Sequence, residues 1–142
     1  GIGHVAYNVS DLEESLHFYC DILGFDKLFT MRSEKGDPQL VYVMVEKGQF
    51  IELFPSPDSA EDKKGQSASR SGYAHLCLEV EDIQEIAEKM KTAGVELDTE
   101  PKKGGDGNYQ CWVKDPDGNP IEFMQMMPDS LQNQNMKELE DQ

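Results

Sequence analysis

The chain has 142 residues, close to the roughly 150 expected of one domain and enough to bury a core. Its 28 Asp and Glu outweigh 13 Lys and Arg and leave a formal charge of −15. That balance excludes most nucleic-acid readings, because phosphate binding needs a basic face to displace counterions, and it disfavours adhesion to an anionic leaflet. No apolar run approaches the roughly 18 residues of a spanning helix, so no membrane partner is expected. The opening Gly1-Ile2-Gly3-His4-Val5 has neither a basic nor an extended apolar region, and no secretory leader is expected. The three cysteines, Cys20, Cys77 and Cys111, form no C-x-x-C pair, which fits a reducing cytoplasm. Cys77 and Cys111 lie in apolar runs and read as core filler.

In chain order, Ile2 to Val9 alternates as a strand does. Ser10 and Asp11 supply an N-cap signal, Glu13 and Glu14 enrich a first turn, and Leu12, Leu16, Tyr19 and Leu23 recur at helical spacing up to Gly24. His17 falls off that stripe and is expected to face solvent. Strands are expected over Asp26 to Arg32, Leu40 to Val45 and Phe50 to Phe54, the last two joined by a turn at Lys47-Gly48. Residues 56–72, rich in Ser, Pro, Gly and charge, read as a linker. The order then restarts: a strand over Ala74 to Val80, and a helix capped by Asp82 with Ile83, Ile86, Ala87 and Met90 on its stripe, closed by Gly94. Strands follow at Val95 to Thr99, Tyr109 to Lys114 and Ile121 to Met126, with a strong turn at Asp115-Pro116-Asp117-Gly118. Residues 128–142 are a polar tail, with Leu131, Met136 and Leu139 only loosely periodic, expected to be a marginal helix or disordered.

The restart is a repeat. His4 and His75 lie 71 residues apart, as do Val9 and Val80, and Asp11 and Asp82. Beyond the helices the offset is 70, for Gly24 and Gly94, Val43 and Val113, Gly48 and Gly118, and Glu52 and Glu122. A one-residue length difference in the helix region aligns the whole set, so the chain reads as a duplicated βαβββ unit with modules 1–55 and 73–127 in one domain, 1–127.

Two histidines and two glutamates recur at matched positions: His4 and Glu52, His75 and Glu122. Alternation puts His4, Ala6 and Asn8 on one face of their strand, Phe50, Glu52 and Phe54 on one face of theirs, and Glu122 with Met124. Were the modules related by a pseudo-two-fold axis, the four ionisable side chains would converge. Two imidazoles and two carboxylates suit a divalent ion such as Zn, Ni, Co, Mn or Fe(II), and a bound cation relieves the cost of a carboxylate on an apolar-walled face.

His4 with Val9-Ser10-Asp11-Leu12, the run Phe18-Tyr19 to Ile22-Leu23-Gly24-Phe25, Glu52, His75 and Asp115 to Glu122 together resemble the vicinal oxygen chelate superfamily. That superfamily includes glyoxalase I, methylmalonyl-CoA epimerase, extradiol dioxygenases and fosfomycin-resistance enzymes. The resemblance covers about residues 2–127 and implies an α+β fold in which two tandem βαβββ modules form an open eight-stranded cup around a metal. Its ligand order, His, Glu, His, Glu, is similar to bacterial glyoxalase I; epimerases typically carry Gln at the position of Glu52.

What the resemblance implies is a lyase or isomerase acting on a hemithioacetal or similar vicinal-oxygen substrate, by proton transfer through a metal-bound enediolate. Glu122 would be the base, with Glu52 second. The ion would be Zn, Ni or Co, with Mn or Fe also served by these donors, in a cytoplasmic homodimer or within one chain. Asn8, Phe50, Phe54, Lys103 and Met124 would contact the small-molecule substrate, Lys103 from a basic loop, Lys102-Lys103-Gly104-Gly105, similar to the mobile loop of such enzymes. Asn8 and Ser56 stand where glyoxalase I commonly has the Arg and Asn that anchor glutathione, which leaves the thiol open. The alternatives are a small-molecule binding or resistance protein, and an Fe(II) extradiol dioxygenase.

Overall fold

Two four-stranded sheets carry the chain, one in each of the units Gly1–Ser71 and Gly72–Gln142 into which it divides. The computed structural model describes residues 1–56 and 72–140, so the linker expected at 56–72 lies outside the described residues except at its two ends. The fold class is α+β, as expected.

In the first unit β1 (His4–Val9), β2 (Asp26–Arg32), β3 (Pro38–Glu46) and β4 (Gln49–Pro55) form a sheet of order β1-β4-β3-β2. β1 runs parallel to β4, and the other pairings are antiparallel. In the second unit β5 (Leu76–Glu79), β6 (Thr99–Lys103), β7 (Tyr109–Lys114) and β8 (Pro120–Gln125) repeat that order as β5-β8-β7-β6, with β5 parallel to β8. The parallel pair in each sheet requires a crossover, and the helix after the first strand supplies it. One face of each sheet is sealed by apolar side chains: Tyr7, Val9, Val43, Ile51 and Leu53 in the first unit, Val113, Ile121 and Phe123 in the second.

The helices start alike. Asp11 accepts from the Glu14 N–H at 3.0 Å to open α1 (Leu12–Leu16); Asp82 accepts from Gln84 and Glu85 N–H groups at 2.8 and 3.1 Å to open α2 (Ile83–Thr92). They end differently. α1 passes into a π-helical turn, His17–Ile22, in which the Leu23 N–H bonds to the Phe18 carbonyl five residues back, at 3.0 Å. α2 stays α-helical and closes at Gly94, φ 77°, with the Val95 N–H on the Met90 carbonyl at 2.9 Å. The π turn is where the first module holds its extra residue: a wider turn takes up one residue without displacing the strands on either side. The change from a 71- to a 70-residue offset therefore has a physical location.

The same turn alters the buried face. Ser15, Phe18 and Tyr19 are buried, with Tyr19 stacked on Tyr7 at 6.3 Å, whereas Leu12, Leu16 and Leu23 of the expected stripe are only half-buried. α2 buries Ile83, Ala87 and Met90, as its spacing predicts.

Two other segments differ from expectation. β6 begins at Thr99 rather than Val95, because Val95 is spent in the helix C-cap. Lys102 and Lys103 are consequently strand residues, registered with Gln110 and Tyr109, and not part of a loop. The tail forms α3 (Leu131–Glu140), fastened to the 104–108 turn: the Leu131 N–H bonds to the Asp106 carbonyl at 2.8 Å, and Asn108 donates to Gln132 Oε1 at 3.3 Å. Among the described residues no helix is long and apolar enough to cross a membrane.

Candidate functional site

Each unit brings one histidine and one glutamate into contact. His4 is the first residue of β1 and Glu52 the middle of β4; parallel register sets Ala6 beside Glu52, so His4 and Glu52 project from the same face. Their Nε2 and Oε2 atoms lie 3.2 Å apart. His75 immediately precedes β5, Cys77 registers with Glu122 of β8, and His75 Nε2 lies 2.9 Å from Glu122 Oε2. In both pairs the carboxylate is shielded and the imidazole open: side-chain exposures are 11% for Glu52 and 16% for Glu122, against 45% for His4 and 35% for His75.

The shielding has a source that the repeat also contains. Tyr42 of β3 stands opposite Glu52, and Trp112 of β7 opposite Glu122, 70 residues apart. Each presents an edge-on ring to its histidine, at 6.0 Å for His4 and Tyr42 and 4.6 Å for His75 and Trp112. These aromatics were missed from sequence, although their matched offset was a readable signal. The Tyr42 hydroxyl donates to Glu52, and that bond, followed by desolvation and the carboxylate's charge, raises the phenol above its ordinary range.

Cys77 is corrected. Expected in the core, it is an exposed residue beside Glu122, with its sulfur partly shielded. Desolvation, then the Glu122 charge and a hydrogen bond to Glu122, push its thiol to about 12. Cys111 is buried, as expected, and desolvation pushes it to about 11. His17 is exposed and pairs with Asp21 at 2.9 Å, away from either histidine–glutamate pair.

The expected substrate contacts are distributed between the units. In the first, Phe50 is half-buried with its ring edge 6.2 Å from Tyr42; Phe54 is half-buried farther along β4, registered with exposed Asn8. In the second, Met124 follows Glu122 on the same face of β8, its sulfur 3.4 Å from the Asn108 amide nitrogen. Lys103 ends β6 in an exposed pair with Asp129 at 3.6 Å.

Among the described residues no group of three or more His, Cys, Asp or Glu is gathered that could hold a metal. Each unit contributes two donors of the right kind: an imidazole nitrogen and a carboxylate oxygen directed at one another through Nε2 and Oε2. Such donors are of the kind that a borderline divalent ion takes.

The family model for the Glyoxalase/Bleomycin resistance protein/Dioxygenase superfamily matches residues 1–123. The chain belongs to this superfamily. Among glyoxalase relatives, a probable lactoylglutathione lyase of Synechocystis sp. is 33% identical over 126 residues, covering 86% of this chain and 92% of its own length. The lactoylglutathione lyase of Haemophilus influenzae is 30% identical over 125 residues, covering 86% and 90%. A solved glyoxalase family protein from Enterococcus faecalis superposes with a TM-score of 0.73 at 28% identity, covering 87% of this chain and 96% of that one. The glyoxalase fold that the resemblance implies is the fold of this chain.

Proposed function

We propose that this chain is a metal-dependent lyase of glyoxalase I type that isomerises a hemithioacetal or a similar substrate with vicinal oxygens. The observation that carries the reading is the imidazole–carboxylate pair repeated at matched positions, at 3.2 Å and 2.9 Å. Relatives named lactoylglutathione lyase at 30–33% identity support the same chemistry. His4, Glu52, His75 and Glu122 would hold one divalent ion, with Zn, Ni or Co best matched to two nitrogens and two oxygens. The two halves come from one chain or from two chains of a homodimer. When bound, the ion would supply Lewis-acid polarisation of the substrate's neighbouring oxygens and so acidify the C–H of the hydroxyl-bearing carbon beside the carbonyl.

The chain's own part is to move that proton. Glu122 takes it from the first carbon and delivers it to the adjacent one, as a carboxylate screened from bulk water can do without losing it to solvent. Glu52 is the second candidate for that role. Phe50 and Phe54 of the first unit and Met124 of the second would supply apolar contacts to the substrate, and Asn8 and Lys103 would meet its polar end.

The test is elemental analysis combined with turnover. Protein loaded with Ni²⁺, Co²⁺ or Zn²⁺ is supplied with hemithioacetals of methylglyoxal and a panel of thiols, and thioester formation is followed by absorbance. One ion per quartet of donors and turnover with at least one thiol are expected. Metal-loaded protein inert toward every hemithioacetal of the panel overturns the reading.

A further inference from the structure

The repeat places an aromatic residue opposite each carboxylate, and only one of them reaches it. Tyr42 is held on three sides: Phe29 stacks on it at 4.6 Å and 19°, Phe50 meets it edge-on at 6.2 Å, and His4 at 6.0 Å. Fixed in that way, its hydroxyl donates to Glu52. Trp112 turns its Nε1–H aside to Gln110 Oε1, at 2.8 Å, so that only its ring serves the second pair. Glu122 takes a thiol donor instead, from Cys77, which stands where the first module has Ala6. A hydroxyl bond to a charged acceptor is strong and directional, and a thiol is a weak donor.

We propose that Tyr42 is a positioning residue that anchors Glu52 as the resident carboxylate of the site and thereby leaves proton movement to Glu122. The proposal rests on the metal reading above. Glu52, gripped between His4 and Tyr42, would have to break a charge-assisted bond to swing away. Glu122, held by its histidine and a thiol, has less to break. The assignment of roles between the two carboxylates thus follows from the donors beside them, a hydroxyl at Glu52 and a thiol at Glu122.

The experiment is a double-mutant cycle read by metal affinity. Co²⁺ binding to the full chain is measured by competition with a chromophoric chelator for the wild type, Tyr42→Phe, Glu52→Gln, Glu122→Gln and the two double variants. Tyr42→Phe keeps the ring and its stacking; about a tenfold loss of affinity is expected, as for other supporting hydrogen bonds at metal sites. In the Glu52→Gln background the same substitution should change affinity by less than about twofold, whereas in the Glu122→Gln background the tenfold loss should persist. Phe29→Leu removes the stack behind Tyr42 but not the hydroxyl. It should lose about threefold with the same dependence on Glu52, and provides the reading if Tyr42→Phe folds poorly. Equal losses on both backgrounds, or no loss at all, overturn the role of Tyr42 while leaving the metal reading intact. A wild type that binds no Co²⁺ overturns both.

Discussion

Glu52 and Glu122 occupy matched positions in strands of the same rank, each beside a histidine and each facing an aromatic residue across the neighbouring strand. Around that shared frame the two units diverge in small polar details. The first has a phenol bonded to its carboxylate and an alanine where the second has Cys77; the second has an indole whose N–H is committed elsewhere. A duplicated scaffold can therefore keep its backbone register, and with it the placement of the donors, while donor strength is changed independently on each side. Symmetry of the frame and asymmetry of the chemistry are compatible because one is set by strand pairing and the other by single side chains.

The comparison breaks most sharply at the carboxylates. Glu122→Gln is expected to lower kcat on a hemithioacetal by roughly 10³-fold while the protein still takes up metal, the usual range for removal of a general base. Glu52→Gln should act chiefly on metal content and less on kcat per bound ion. Steady-state kinetics normalised to bound metal separate the two, and equal losses of kcat would mean that the carboxylates share the proton.

A second contrast concerns the frame. Ile51 and Ile121 are matched core residues, 2% and 0% exposed. Replacement of either by Ala should cost about 3 kcal/mol in urea unfolding, within the range for buried aliphatic truncation. Clearly unequal losses would show that the units are not equally packed. The smallest contrast lies at the caps. Asp82 satisfies two N–H groups and Asp11 is seen to satisfy one, Glu14. Asp82→Ala should cost about 1.5 kcal/mol and Asp11→Ala about 1 kcal/mol by the same measurement.

Much of the frame was legible in the sequence, because it depends on strong local signals. Asp26–Arg32 and Tyr109–Lys114 are strands with the expected limits, and both cap aspartates act as caps. What was not legible turns on competition between signals. Val95 opens an alternating segment, Val95-Glu96-Leu97-Asp98-Thr99, that resembles a strand, but its N–H closes the preceding helix, and the strand starts later. Cys77 shares its strand face with His75 and Glu79 and only its sequence neighbours Leu76 and Leu78 are apolar, so it is parity, not the local run, that places it beside Glu122. Tyr42 lies inside the expected strand Leu40 to Val45, and nothing local singles it out until its register with Glu52 is known.

The tail shows the same limit and has a further consequence. Asn108 is 1% exposed, and its amide serves Asp106, Met124 and Gln132 while its oxygen accepts from the Met127 N–H. Gly107 leaves no room for a side chain against Ser130, whose Cα would stand 3.2 Å from an added Cβ. Part of that network comes from α3, so the turn at residues 107 and 108 and the C-terminal helix hold one another in place. Loss of the helix would take Gln132 from the Asn108 amide, which keeps Asp106 and Met124, and position 107 would still call for glycine at φ 91°.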